Sequence, residues 1–333
     1  MILAGERLHN EPVACNGLLI IGDPHVSSRR PGRRKDADWP APILAKLEAC
    51  AAIANARGLA PVLLGDLFER AVEPDEALKA RLVRVLKSFR IRPLTNVGNH
   101  DIAHTTLSDG DSLAVLGLSD VIDVVAAPGI VGEYRIGAHR LGIGMTPFGA
   151  EIPRDVRGGL AGIDRLAWFT HHDIAFEGAY PGAVPPFPVE GADLVVNGHV
   201  HKTKAPIRAG ATLWANPGNI NRQSVDLQDH RPAAWILGED GVLVPEYLPH
   251  AADVFDLTGR LVAAASDRAM RAQVESAFVS LLQAESGTDL TRSDDGAMVR
   301  EEILAAFQRE DTPDPVRALV LSLLDAAVER RGR

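Results

Sequence analysis

Residues 17–25 read Gly-Leu-Leu-Ile-Ile-Gly-Asp-Pro-His. An apolar run this short, bounded by glycines, fits a buried strand better than a helix. It ends abruptly in residues with chemistry, Gly22-Asp23-Pro24-His25. The same grammar returns four times downstream. Ala60–Leu64 (APVLL) runs into Gly65-Asp66-Leu67-Phe68-Glu69, and the segment RPLTNV runs into Gly98-Asn99-His100-Asp101. Leu166–Phe169 (LAWF) runs into Thr170-His171-His172-Asp173, and Asp193–Val196 (DLVV) runs into Asn197-Gly198-His199-Val200-His201.

Between the first two runs Ile43, Leu44, Leu47, Ala51 and Ala54 recur at helical spacing. After the second, Leu78, Leu82, Leu86 and Phe89 do the same behind the N-terminal signal Pro74-Asp75-Glu76. Two further strand-like runs are Arg140–Met145 and Thr212–Trp214. This rhythm predicts an α/β domain with substantial parallel sheet. In such sheets ligands gather at the carboxyl ends of strands, so five segments can deliver donors to one place. Carboxylate, amide and imidazole without thiolate suit Mn²⁺, Fe²⁺, Zn²⁺ or Mg²⁺. In Asp-x-His and His-x-His, residues two apart on an extended chain point the same way. Each motif alone is weak. A single Gly-Asp is commonly a turn, and a single Gly-His-x-His is commonly a loop with a capping or core histidine. Five of them, each at a strand end, are hard to explain as independent accidents.

In their order and rough spacing, DPH, GDLFE, GNHD, THHD and GHVH resemble the five blocks of the calcineurin-like metallophosphoesterases, over about residues 17–240. The resemblance implies a four-layer αββα sandwich with two divalent ions at one edge. It assigns Asp23, His25, Asp66 and His201 to the first ion. Asp66, Asn99, His171 and His199 fall to the second, with Asp66 bridging. His100 becomes the catalytic histidine and Asp101 the group that orients it; His172 either supports a ligand from behind or faces the substrate, where it is a candidate substrate-binding residue. Glu69 stands where many members carry Asp, and its longer reach changes what that position can touch.

Within the family the chain is similar to SbcD-type DNA repair nucleases. The similarity lies in GDLFE, in Gly142–Phe148 (GIGMTPF), and in Ala215–Arg222 (ANPGNINR), where Asn219 replaces a Ser. That branch implies an exo- or endonuclease using Mn²⁺ (with Fe²⁺, Zn²⁺ or Mg²⁺ as alternatives), DNA as substrate and a coiled-coil SMC-like ATPase as partner. Arg222, Arg29 and Arg30 are its candidate substrate-binding residues. Arg33, Arg34 and Lys35 extend the first basic cluster, and Lys202, Lys204 and Arg208 form a second. Such clusters suit a phosphate backbone or, equally, a solvated loop. The competing reading is a phosphodiesterase or phosphatase acting on small molecules such as cyclic nucleotides. The formal net charge of −9 leans that way and argues against nonspecific coating of nucleic acid. A noncatalytic scaffold would be expected to have lost ligands, and here every position is filled.

At 333 residues, 46% of them hydrophobic, the chain can bury a sizeable core. No apolar stretch reaches the ~18 residues that span a bilayer. The N-terminus lacks a basic region followed by an apolar core, so a cytoplasmic protein away from membranes is expected. Cys15 and Cys50, the two cysteines, read as buried thiols. From about Ala251 helical periodicity takes over: Val274, Phe278, Leu281 and Leu282, then Ile303, Leu304 and Phe307, then a stripe from Val316 to Val328. The expected division is a catalytic domain, 1–250, and a helical appendage, 251–333. The appendage is open to three uses: a lid, a homodimer contact or partner docking.

Overall fold

The computed structural model describes residues 2–3, 12–159, 161–177 and 182–257, with helical positions 304, 307, 317, 320 and 321. The chain divides into two compact units. The larger comprises Met1–Arg30, Asp36–Gln223 and Leu227–Val254; the smaller comprises Pro31–Lys35, Ser224–Asp226 and Phe255–Arg333. Apart from those five positions, the expected helical appendage beyond 257 lies outside the described residues.

The larger unit is built on two seven-stranded sheets. In the first sheet, β3 (Leu18–Ile21), β4 (Ala60–Leu63) and β5 (Leu94–Asn96) run parallel to one another. Outward from β5 lie β6 (Asp123–Val125) and β1 (Ile2–Leu3); outward from β3 lie β13 (Ala233–Leu237) and β14 (Leu243–Tyr247). The second sheet has a parallel centre of β8 (His139–Thr146), β9 (Arg165–Thr170) and β10 (Leu194–Asn197). It is completed by β11 (Lys204–Ala209), β12 (Thr212–Asn216), β7 (Gly129–Ile136) and β2 (Val13–Cys15).

Strand alternation sorts the core into layers. On β3, Leu18 and Ile20 join Val62, Leu94, Ile143, Phe169 and Val196 in the core between the sheets. Leu19 and Ile21 face the other way, onto helices α1 (Pro40–Arg57) and α2 (Glu76–Lys87). Both strand faces are therefore buried, which is why these strands read as unbroken apolar runs. Each such Leu or Ile contributes about 1.5–3 kcal/mol on full burial. Cys50 is buried as expected, whereas Cys15, near the end of an edge strand, is only half-buried; both are free thiols.

The helices start and stop for local reasons. Pro40 opens α1 at a position where its missing N–H costs nothing, and Gly58 closes it in the left-handed conformation (φ 67°). The Asp75 side chain caps α2 by accepting the Leu78 N–H at 3.0 Å. A third helix, α3 (Ser112–Leu118), adds Leu113 and Leu116 to the same layer.

The fold is an α/β sandwich of two mixed sheets, as the strand rhythm predicts. Its two outer layers are unlike each other. Helices cover the first sheet, whereas on the second sheet Leu166, Trp168, Val195 and Trp214 are covered, among the described residues, by irregular chain carrying Ile152, Val156, Ile174, Phe176 and Val189. Pro147, Pro153, Pro185, Pro186 and Pro188 punctuate that chain and disfavour a helix there. Among the described residues no helix is long and apolar enough to cross a membrane.

Candidate metal centre

The C-terminal ends of β3, β4 and β5 in one sheet and of β9 and β10 in the other release five loops toward one edge. Backbone geometry marks the place. Five described non-glycine residues have left-handed φ angles, and four are predicted ligands: Asp23 (31°), His25 (49°), Asp66 (47°) and His199 (69°). Such conformations cost about 1–3 kcal/mol each and persist where the surroundings hold them. Space is equally tight. A Cβ on Gly98 would lie 2.1 Å from Asp66 Oδ1, so only glycine lets the β5 loop approach this carboxylate.

The predicted ligands gather in two groups. Asp23, His25 and His201 form one; Asp66, His171 and His199 form the other, and in each the candidate ligand atoms lie within 4.8 Å of one another; His25, Glu69 and His100 make a third set that meets the same distance. In the first, His25 Nε2 faces His201 Nε2 at 3.0 Å. In the second, Asn99 Oδ1 lies 2.9 Å from His199 Nδ1 and 3.2 Å from His171 Nε2. Asp66 stands between the groups, with Oδ2 3.1 Å from His171 Nε2 and 3.6 Å from His25 Nε2. Its other oxygen accepts the His100 N–H at 2.8 Å. Asp23 Oδ2 accepts the His199 N–H at 2.7 Å, while Oδ1 is buried without a partner.

Burial disfavours charge throughout the site, and the carboxylates decide which groups carry it. Burial works against the His171 imidazolium, but Asp66 and Asp23 outweigh it and hold the pKa up to about 10. Burial likewise opposes charge on His25, and Glu69, Asp66 and Asp23 overcome it to raise the pKa to about 9. Burial and the neighbouring His25 charge push His201 well below the usual range. Burial is also outweighed at Asp66, where His171, His100 and His25 keep the carboxyl well below its ordinary value. Facing imidazoles, an orphaned carboxylate oxygen and a carboxylate set between them fit divalent cations, and these clusters can hold metal ions.

All seven predicted ligands converge here. His100 lies beside them, its ring 4.9 Å from that of His25. Its Nδ1–H donates to Glu69 O at 2.8 Å, which leaves Nε2 buried and unpartnered. Asp101 does not orient His100, contrary to the sequence expectation. Its carboxylate accepts the backbone N–H groups of Gly98 (2.9 Å) and Phe68 (3.2 Å), pinning the β5 loop to the β4 loop. Burial and the Asp66 charge raise its pKa to about 7 despite those bonds.

Two predicted substrate residues are engaged by the protein itself. His172 Nε2–H donates to Ala150 O at 2.8 Å and its Nδ1 is buried without a hydrogen-bond partner, while the residue as a whole is half-buried. Burial keeps it neutral, with the pKa lowered to about 4. Arg222 is buried, and its guanidinium donates to the carbonyls of Gln228, Ala251 and Ala252. It ties down chain at residues 228, 251 and 252. Arg29 and Arg30 are exposed, and Arg30 donates to Asp36 O at 3.0 Å. Within the smaller unit, Arg33 donates to Asp256 O and Arg34 lies over the Phe255 ring.

Three participants had no assigned role. Asp173 Oδ1 lies 3.2 Å from His199 Nε2, so it fixes that ring with Nδ1 toward Asn99. Glu69 Oε2 lies 2.9 Å from His25 Nδ1 and accepts the Gln223 amide at 2.6 Å. Phe148, partly exposed, walls the second group with its ring 5.9 Å from that of His199. Asp173 and Glu69 sit inside quoted motifs; their targets depend on strand adjacency.

Two facing sheets thus bring the donors to one edge of an α/β sandwich. No protein-family model and no curated protein matches the sequence. Solved structures similar to this chain include a 5'-nucleotidase precursor from Thermus thermophilus, at 15% identity and a TM-score of 0.44. That match covers 74% of this chain and only 57% of the nucleotidase precursor. A hypothetical protein from the same organism matches at 14% identity and a TM-score of 0.39, over 70% of this chain and 99% of that one. A predicted phosphoesterase from Streptococcus pneumoniae matches at 13% identity and a TM-score of 0.29, over 70% and 95%. Likeness at this level is too distant to transfer an activity.

Proposed function

We propose that the chain is a calcineurin-like phosphoesterase that hydrolyses phosphodiester bonds with two divalent ions, Mn²⁺ foremost. The observation that carries this reading is Asp66, whose Oδ2 faces His171 of one ligand group and His25 of the other. Asp23, His25, Asp66 and His201 would hold one ion, and Asp66, Asn99, His171 and His199 the second. When bound, such a pair supplies Lewis-acid polarisation of the phosphoryl group and acidifies an attacking water. The protein's own part is positional. Asn99 adds a donor without adding charge. His100, held through Nδ1 by Glu69 O, offers Nε2 to hold or give a proton at the leaving oxygen. Asp101 keeps the loop bearing both residues in register with the loop of Asp66.

For the substrate, the SbcD-type resemblance favours DNA, with an SMC-like ATPase as partner, and Arg29, Arg30 and Lys202 are exposed, as contacts to a phosphate backbone would require. The commitment of Arg222 to backbone carbonyls favours the small-molecule reading instead. Incubation with end-labelled linear DNA, cyclic nucleotide and bis-p-nitrophenyl phosphate in Mn²⁺, Mg²⁺ and EDTA separates them. Mn²⁺-dependent shortening of DNA supports the nuclease; turnover of the small diesters with intact DNA replaces it by the second reading. Inertness toward all three substrates contradicts the phosphoesterase proposal.

A further inference from the structure

We infer that Glu69 is a positioning residue that fixes two imidazoles at once, His25 through its carboxylate and His100 through its backbone carbonyl; the inference rests on the metal-dependent reading above. The ring of His25 has partners on both sides. Asp66 Oδ2 and His201 Nε2 lie on its Nε2 side, at 3.6 and 3.0 Å. Glu69 Oε2 lies on its Nδ1 side, at 2.9 Å. The carboxylate thus stands behind His25 as seen from the ligand group. A carboxylate in that place constrains ring orientation and raises the basicity of the nitrogen left to the metal.

The carboxylate is itself held. Gln223 donates its amide to the same Oε2 at 2.6 Å, so the glutamate is tethered from a separate loop. Meanwhile Glu69 O takes the Nδ1–H of His100 at 2.8 Å, leaving Nε2 of that ring for chemistry. An aspartate here, one methylene shorter, would keep the carbonyl contact and draw the carboxylate back from His25. The functions of side chain and main chain are therefore separable by mutation.

Calorimetric titration of Mn²⁺ into the metal-free full chain tests this with wild type, Glu69→Leu and Glu69→Gln. The wild type should take up two ions. In Glu69→Leu one ion should bind about 10–100-fold more weakly while the other keeps its affinity. Glu69→Gln should recover most of the loss, because its amide oxygen can take the same place beside His25 Nδ1. Gln223→Leu, which leaves Glu69 intact, should weaken the same ion by a smaller factor and serves if Glu69→Leu does not fold. Two ions bound with wild-type affinity in Glu69→Leu, or both weakened equally, overturn the inference while leaving the phosphoesterase reading standing. A wild type that takes up no ion overturns both.

Discussion

His25 Nε2 and His201 Nε2 face each other at 3.0 Å inside a largely buried pocket. One proton must lie between them in the metal-free protein, and the carboxylates around His25 place it there, with His201 accepting. His171 carries a second proton, its pKa held at about 10 and that of His25 at about 9. Both rings must lose a proton to ligate a metal. Loading Mn²⁺ at pH 7.5 should therefore release about two protons per chain, falling toward zero above pH 10. Titrations in buffers of different ionisation enthalpy measure this; uptake of two ions without proton release would contradict the assignment.

Asp66 faces both ligand groups, so its loss should not be confined to one ion. Asp66→Asn should weaken both ions and lower kcat by at least about 10³-fold, several kcal/mol of transition-state stabilisation. Metal content after dialysis, measured beside turnover, checks it. A variant that loses one ion and keeps the other at full affinity would show that Asp66 does not bridge.

Arg222 should prove structural. Arg222→Ala leaves the carbonyls of Gln228, Ala251 and Ala252 without their donor, and should cost about 1–3 kcal/mol in urea unfolding. The KM for bis-p-nitrophenyl phosphate should be unchanged at a temperature where the variant is folded. A raised KM at undiminished stability would return Arg222 to the substrate site.

Cys50 sets an alkaline limit away from the site. Burial pushes its thiol up to about 12, with Lys46 opposing slightly. An unfolded thiol ionises near pH ~8.5, so between about 8.5 and 12 the folded chain retains a proton that the unfolded chain loses. The stability contributed by the neutral thiol is full below about pH 8.5 and is lost as pH rises, by up to about 1.4 kcal/mol per unit. Cys50→Ala should flatten that decline relative to wild type in denaturant titrations at pH 8–10; an unchanged slope would contradict the assignment.

The strands, and the donors that follow them, were legible in the sequence because both depend on local pattern. Leu18–Ile21 and Ala60–Leu63 lie between sheet partners with both faces covered, so their apolar character is continuous, and each run leads within two residues to a glycine followed by a donor. Helix α2 announced itself through Asp75 and the spacing of Leu78, Leu82 and Leu86. β7 and β14 escaped notice because glycine, charge and exposed positions break their pattern: Gly129, Gly132, Glu133 and Arg135 in one, Pro245 and Glu246 in the other. The roles of Asp101, Asp173 and Glu69 were not legible for a different reason. Each is set by the loop across from it, and sequence adjacency pointed Asp101 at His100 when its bonds run to Gly98 and Phe68. The backbone partners of Arg222 were hidden in the same way, since a charged side chain near a motif does not disclose that carbonyls of residues 228, 251 and 252 will meet it.

The central claim, one site holding metal beside a proton-carrying His100, is tested most directly by hydrolysis of bis-p-nitrophenyl phosphate, with wild type and His100→Ala compared in Mn²⁺ and in EDTA. Wild type should turn over in Mn²⁺ and stop in EDTA. His100→Ala, still loaded with metal, should be slower by about 10²–10⁴-fold. No turnover by metal-loaded wild type, or equal rates for the two proteins, would contradict the account.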